Sequence, residues 1–332
     1  MRSYPAVTSA FVAFGSAVVW LCVVSVGVLE NSGGSWAHDV RKILFRNDSH
    51  ILMEKWAIDI TLPKWSLCVW EFIYTWNTLW SLYCVIITCR PVSEKSEEDT
   101  TTCSVNAFPP IFHCFWAFAG ISHVCWMFFW DREIIVGSVF FQAFVVIACI
   151  GCLYVSHSSV DRNGALLEAN HRWDLWVCRT LVQNGITMFG TWSAVLFLIN
   201  TASLLTYDGR ISSYLTSIAA LGALGFILIF WFILDTFILD RWVRYTFSIY
   251  PTISWASAAI LLRHFRPWSH VTIITLSILC AAFFILVLRL PLVVWKCFTY
   301  PLYITQTIPQ EVDLEDQRQK DNARQQVVAT VL

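Results

Sequence analysis

Charge is what this sequence has least of. Only 14% of its 332 residues are Asp, Glu, Lys or Arg, against about a quarter in an ordinary soluble domain. The net charge is -1, and nowhere do Lys and Arg gather into the dense stripe that neutralises a row of phosphates, so nucleic acid is excluded as a partner. Catalytic signatures are missing too. There is no G-x-S-x-G, no H-E-x-x-H and no D-x-D cluster, hence no nucleophile with its base and no metal set. The chain reads as a non-enzyme with neither cofactor nor metal. Nor is there a disulfide framework, because the 12 Cys lie mainly inside apolar runs, where a reduced thiol behaves as a small hydrophobe. Cys149 and Cys152 form a C-x-x-C, but it stands alone within an apolar run and reads as packing.

Hydrophobic sequence fills the chain instead. It makes up 57% of the residues, and the mean hydropathy is +0.60. The charges fall in short intervals between apolar runs of roughly 20 residues or more, the length that crosses a hydrocarbon core about 30 Å thick. Each run must satisfy its own backbone hydrogen bonds in lipid, so the runs are helices. The pattern predicts an all-α, polytopic membrane protein of about eight transmembrane helices, near 6–29, 63–89, 110–130, 134–156, 176–207, 211–236, 243–265 and 270–298. Three units follow: a five-helix bundle over 1–207, three additional helices over 208–300, and a polar, disordered cytosolic tail over 301–332.

The connections carry their own signals. The first apolar run is longer than a secretory signal core of about 7–15 residues and reads as a retained helix. Glu30-Asn31-Ser32-Gly33-Gly34 ends it and opens a polar loop holding the sequon Asn47-Asp48-Ser49. Pro63 suits the first turn of the second helix. A solvated linker spans Arg90 to Thr102, the Asp131-Arg132-Glu133 turn makes the third and fourth helices antiparallel neighbours, and 157–174 reads as a polar break. Lys and Arg are too evenly shared between the loops to set orientation. The sequon favours a lumenal first loop, and an even helix count then puts both termini in the cytosol. There Thr330, Val331 and Leu332 would suit a PDZ groove.

Tryptophan is over-represented, with 18 residues. An interfacial belt explains Trp36, Trp56, Trp173, Trp176 and Trp268, but not the second helix, where Trp65, Trp70, Trp76 and Trp80 accompany Phe72, Tyr74 and Tyr83. At 100° per residue Trp65 and Trp76 fall within about 20° of each other, which predicts an aromatic wall. His123, Trp126 and Trp130 share a face of the third helix, with Trp116 two turns earlier. Such walls either pack helices together or line a cavity for a flat, apolar ligand that a few indole N–H donors orient. Polar residues inside the runs are the second signal: Glu71, Asn184, Asn200, Asp235 and Arg289. Glu71 is placed to pair with His123 or to face a watery cavity. Asn184 and Asn200 suit interhelical bonds or ligand contact, and Asp235 and Arg289 suit pairing or snorkelling.

The first five helices resemble the tryptophan-rich sensory protein family, also called translocator proteins (TspO). That family carries P-x-W-x-F-x-x-W-x-x-x-Y at its second helix, and Pro63-Lys64-Trp65-Ser66-Leu67-Cys68-Val69-Trp70-Glu71-Phe72-Ile73-Tyr74 reproduces the proline, both tryptophans and the tyrosine. Its third helix carries N-x-x-W, matched by His123-Val124-Cys125-Trp126 with histidine for asparagine, and its fifth has a Trp with an Asn eight residues on, matched by Trp192 and Asn200. The tyrosine after that Asn is Thr201 here. The resemblance covers about 200 residues and leaves the last three helices unexplained. It implies a five-helix bundle with a pocket beneath the first loop that holds porphyrin-like or sterol-like molecules, contacted by Trp65, Trp70, Tyr74, Trp126, Trp192, Asn200 and His123. The aromatic and polar patterns add Glu71 and Trp76.

The expected function is to bind or move a hydrophobic planar small molecule in an aromatic intramembrane pocket. The alternatives are a secondary transporter or channel lined by Glu71, Asp235 and Arg289, and an orphan receptor or scaffold. Membrane lipid, a hydrophobic small molecule, a PDZ protein and a second copy in a homodimer are the expected partners. A glycan at Asn47 is expected, with residence in the plasma membrane or an endomembrane rather than the mitochondrial outer membrane.

Overall fold

The structure is a computed structural model and describes residues 4–31, 41–47, 49–89, 108–300 and 302. The linker at 90–102, Trp36, the tail and its Thr330, Val331 and Leu332 lie outside the described residues. Within them the chain is helical and forms no strand. The helices are α1 (Tyr4–Asn31), α2 (Ser49–Lys55), α3 (Val69–Cys89), α4 (Pro110–Asp131), α5 (Ile135–Asn170), α6 (Arg172–Tyr207), α7 (Ser213–Ile238), α8 (Asp240–Val243), α9 (Ile249–His264) and α10 (His270–Thr299).

Six of these, α1, α4, α5, α6, α7 and α10, are long and apolar enough to cross a membrane. The chain is an all-α integral membrane protein. The remaining two long helices fall outside that group for separate reasons. α3 is diluted by Glu71, Asn77 and its tryptophans and tyrosines. α9 has 16 residues, a rise of about 24 Å against a core of about 30 Å.

Local chemistry sets most boundaries. Pro109 and Pro110 start α4, where a proline costs no hydrogen bond. Ser212 caps α7 by accepting from the Leu215 N–H. Glu133 takes a left-handed φ of 60° in the turn that folds α5 back against α4. At the end of α6 the left-handed residue is Arg210, with φ 54°, and not the neighbouring glycine. The expected break at 157–174 is corrected: α5 runs on to Asn170, because His157, Val160 and Leu167 are buried at helical spacing. The expected seventh helix, near 243–265, is corrected as well, since 244–248 is a connection and the long helix is Ile249–His264.

The first four long helices and α6 pack as one bundle, with α1 against α3 and α4, α4 against α5, and α5 against α6. The later helices fasten onto it: α7 and α9 lie along α6, and α10 along α7 and α9. Close approach of α1 to α3 depends on Gly27, where an added Cβ would lie 2.6 Å from the Tyr74 ring. α6 contains a π-helical turn, Cys178–Gln183, and α7 ends in another, Leu234–Ile238. Such turns free carbonyls for outside partners.

Candidate functional site

The face of α3 turned to the bundle carries Trp70, Ile73, Tyr74, Asn77, Trp80 and Cys84, all buried and spaced three or four apart. The matching face of α4 carries Phe112, Trp116, Ala119, His123, Met127 and Trp130. Where these meet α6, Trp70 stacks on Tyr74 with centroids 5.5 Å apart and leans on His123 at 4.7 Å. Trp192 meets Trp70 edge-on at 6.3 Å, and His123 stacks on Trp126 at 5.3 Å. A second layer joins Trp20, Trp116 and Trp80 through centroid distances of 4.5 and 4.6 Å. Each well-oriented pair contributes about 0.5–1.5 kcal/mol beyond the area it buries.

Trp20, Trp70, Trp80, Trp116, Trp126 and Trp192 therefore pack against one another, and the hollow they leave is small. A chamber of about 60 Å³ remains at the end nearest the first loop, lined by Trp70, Tyr74, Trp126, Asn200 and, from the loop, Trp56 and Leu62. Trp126 Nε1 and Asn200 Nδ2 are buried there with no acceptor. Other buried donors, the Trp116, Trp192 and Trp231 indole nitrogens among them, also lack a partner; these two are set apart by sharing one cavity lining.

The remaining candidates separate. His123 is held behind the rings by a 3.0 Å hydrogen bond between its Nε2 and the Tyr74 hydroxyl. Trp192 is fully buried in the ring cluster and lies behind the chamber. Trp65 is corrected: it is 47% exposed and meets Trp255 edge-on at 5.5 Å. It belongs to a 3₁₀ turn, Lys64–Cys68, which rotates about 120° per residue, so the α-helical phase relating it to Trp76 does not apply. Glu71 is corrected likewise. It lies in the first turn of α3, where the helix dipole favours an anion, and its side chain is exposed, whereas His123 is buried. Trp76 donates to the Leu181 carbonyl at 2.8 Å and lines a different cavity.

The first loop roofs the chamber and is clasped from several sides. The Asp131 carboxylate accepts from the backbone N–H groups of Arg46 at 2.9 and 3.0 Å and of Asn47 at 2.8 Å. Asn47 Nδ2, the atom a glycan would join, donates to the Asp131 carbonyl at 2.6 Å. Lys55 pairs with Glu133, and the Tyr207 hydroxyl donates to the Ala57 carbonyl at 2.9 Å. From α9, Arg263 donates to the Leu62 carbonyl at 2.9 Å and His264 to that of Thr61 at 2.9 Å. Asp131 and Arg263 escaped the sequence reading. Asp131 reads in the sequence as part of a charged turn, and nothing in the sequence pattern singles Arg263 out.

A larger cavity, about 640 Å³, opens between α3, α6 and α9 and includes Phe72, Trp76, Met188 and Pro251 in its wall. Asn184, expected in an interhelical bond or at a ligand, ties this region together. Its Nδ2 donates to the carbonyls of Arg179 at 2.9 Å and Tyr245 at 2.8 Å, and its Oδ1 accepts from the N–H groups of Phe247 and Ser248 at 3.0 and 3.1 Å.

Asp235 and Arg289 form a buried ion pair between α7 and α10, and the Tyr250 hydroxyl donates to Asp235 Oδ2 at 2.7 Å. Beside them Asp240 accepts from Lys296 Nζ at 2.8 Å and Arg244 Nη2 at 2.9 Å. Burial alone would raise the Asp240 carboxyl, but those bonds outweigh it and hold it below the usual carboxylate range. Tyr245 is pushed up to about 12, by burial first and then by its hydrogen bond to Cys297.

No protein-family model matches the chain, and no curated protein or solved structure does either.

Proposed function

We propose that this protein crosses the membrane eight times, with α3 and α9 completing the six apolar spans, and binds a hydrophobic small molecule in the chamber beneath its first loop. The observation that carries the reading is the pair of buried donors without an acceptor, Trp126 Nε1 and Asn200 Nδ2, beside Trp70 and Tyr74 in one lining. Four of the nine ligand-contact candidates taken from the sequence, Trp70, Tyr74, Trp126 and Asn200, converge there.

Pockets that enclose drug-sized ligands span about 300–1,000 Å³, so a chamber of about 60 Å³ is the closed form, and the clasped loop has to lift before a guest enters. Among the described residues, the lining includes Glu30 and no Lys, Arg or His. A porphyrin bearing two carboxylates finds no counter-charge, whereas a neutral, sterol-like molecule with a carbonyl oxygen meets two donors. The resemblance to the translocator proteins supports the same place, and its porphyrin-like or sterol-like guests include this one. A polar transmembrane pathway is less well supported, because Asp235 and Arg289 close on each other and Glu71 lies on the outer surface of α3.

Titration of the full chain in lipid nanodiscs with a steroid ketone, followed by quenching of tryptophan fluorescence, tests the reading. Trp126→Phe and Asn200→Leu each remove one donor and should weaken binding about tenfold. Unchanged affinity in both variants would rule the chamber out.

A further inference from the structure

The cavity between α3, α6 and α9 is separate from the chamber and has a different chemistry. Its volume, about 640 Å³, falls within the ~300–1,000 Å³ that encloses a compact small molecule. Two sets of bonds frame it. At one end Asn184, just after the π-helical turn of α6, holds the 245–248 connection. At the other, the Trp255 indole N–H reaches across from α9 to the Ser66 carbonyl at 3.1 Å.

The indole, hydroxyl and amide donors in the wall are already spent on protein carbonyls. Thr180 donates to Trp176 at 2.7 Å, Ser248 to Asn184 at 2.8 Å and Thr252 to Ser248 at 2.7 Å, while Trp76, Asn184 and Trp255 are engaged as described. The hydroxyl oxygens of Thr180, Ser248 and Thr252 keep acceptor capacity. Among the described residues, no Lys, Arg, His, Asp or Glu lines the cavity. Apart from the weakly donating Cys68 thiol, the wall therefore offers acceptors without free donors or charge. A carboxylate, sulfate or phosphate would lose its hydration with nothing to replace it, whereas a neutral molecule with an O–H group can donate to the wall.

Access is from the side. Phe72 is 52% exposed, and Pro251 and Thr180 are exposed too, so the cavity opens on the outer surface alongside membrane-crossing α6. We propose that this seam binds a compact neutral lipid alcohol taken laterally from the surrounding bilayer.

Photolabelling of the full chain in nanodiscs with a diazirine-bearing sterol alcohol tests this. The label should fall in 68–76, 180–188 and 247–255, and excess unlabelled alcohol should lower it about tenfold or more, while the sulfate ester of the same sterol leaves it within about twofold. Met188→Trp fills the cavity and should abolish labelling there. Trp126→Phe should leave it unchanged, because this site does not depend on the chamber. Labelling elsewhere, no labelling, equal competition by the sulfate ester, or full labelling of a folded Met188→Trp chain would each overturn the proposal. If Met188→Trp fails to fold, competition on the unaltered chain decides.

Discussion

Arg263 donates to the carbonyl oxygen of Leu62 at 2.9 Å, joining positions 201 residues apart in sequence. The same guanidinium holds both carboxylate oxygens of Glu54, at 3.0 and 2.8 Å, so a helix from the second half of the chain helps hold down the roof over the first half. Glu54 is largely exposed, and such ion pairs contribute about 0–1 kcal/mol. The charge-assisted bond to the Leu62 carbonyl contributes more, about 1.5–3 kcal/mol. Arg263→Met should speed amide exchange over 54–62 about tenfold or more while moving the global melting point little. Glu54→Gln should have a much smaller effect. Identical exchange in Arg263→Met and the parent would mean that Arg263 does not hold the roof.

Tyr74 and His123 share a 3.0 Å hydrogen bond inside the ring cluster through the His123 Nε2, while His123 Nδ1 is buried without a partner. Losing either partner leaves the other buried and unbonded, at a cost of about 1–3 kcal/mol. Tyr74→Phe and His123→Phe should each lower the thermal midpoint in detergent, and the double variant should cost less than the sum of the two. Strict additivity would show that the contact is not a coupled pair.

Gly27 makes a sharper steric test. An added methyl would meet the Tyr74 ring at 2.6 Å, and overpacking of this kind costs about 1–3 kcal/mol. On the same helix Gly15 has nothing within 4 Å of an added Cβ. Gly15→Ala should therefore be neutral or stabilising by up to about 1 kcal/mol, and Gly27→Ala destabilising. Equal behaviour of the two variants in thermal unfolding would remove the close approach of α1 to α3 as an explanation.

The helices were legible because apolar length and backbone satisfaction in lipid leave little choice, and the charged turn at Asp131 correctly made α4 and α5 neighbours. Spacing and the family resemblance singled out Trp70, Tyr74, Trp126 and Asn200, and these four line one chamber. Trp65 and Glu71 were misplaced because a 3₁₀ turn changes the phase of a helical wheel and because position within a helix, rather than residue type, decides whether a carboxylate lies at an interface. The 640 Å³ cavity left no trace in the sequence pattern. Its wall joins ordinary residues from segments near 70, 185 and 250, and only the tertiary ties of Asn184 and Trp255 bring them together.

The buried pair of Asp235 and Arg289 should behave as a unit. Removing one partner strands a charge among apolar helices, which costs about 3–5 kcal/mol, whereas replacing both with apolar residues of similar volume is often neutral or better. Asp235→Leu and Arg289→Met should each lower the unfolding midpoint strongly, and the double variant should recover most of the loss. A double variant as unstable as the worse single one would mean that the pair is needed for more than mutual neutralisation. Tyr250, which donates to Asp235, is the next residue to examine in that case.

Asp240 lies between the membrane-crossing helices and titrates in the opposite sense to a simply buried acid, because its bonds to Lys296 and Arg244 outweigh burial and hold its carboxyl below the usual range. The folded state therefore binds this proton more weakly than the unfolded chain, whose Asp titrates near about 3.9. Stability from the group is fully present above that value and is lost as pH falls through the lower folded value. Asp240→Asn should reduce stability near neutral pH, and the gap between it and the parent should narrow on acidification below about pH 4, as measured by thermal unfolding across a pH series. Lys296→Met removes one of the bonds that depress the carboxyl, so the acid loss should be smaller than the parent's and complete at a higher pH. A gap that widens toward acid would show instead that Asp240 is held protonated, and would reverse the sign assigned to this cluster.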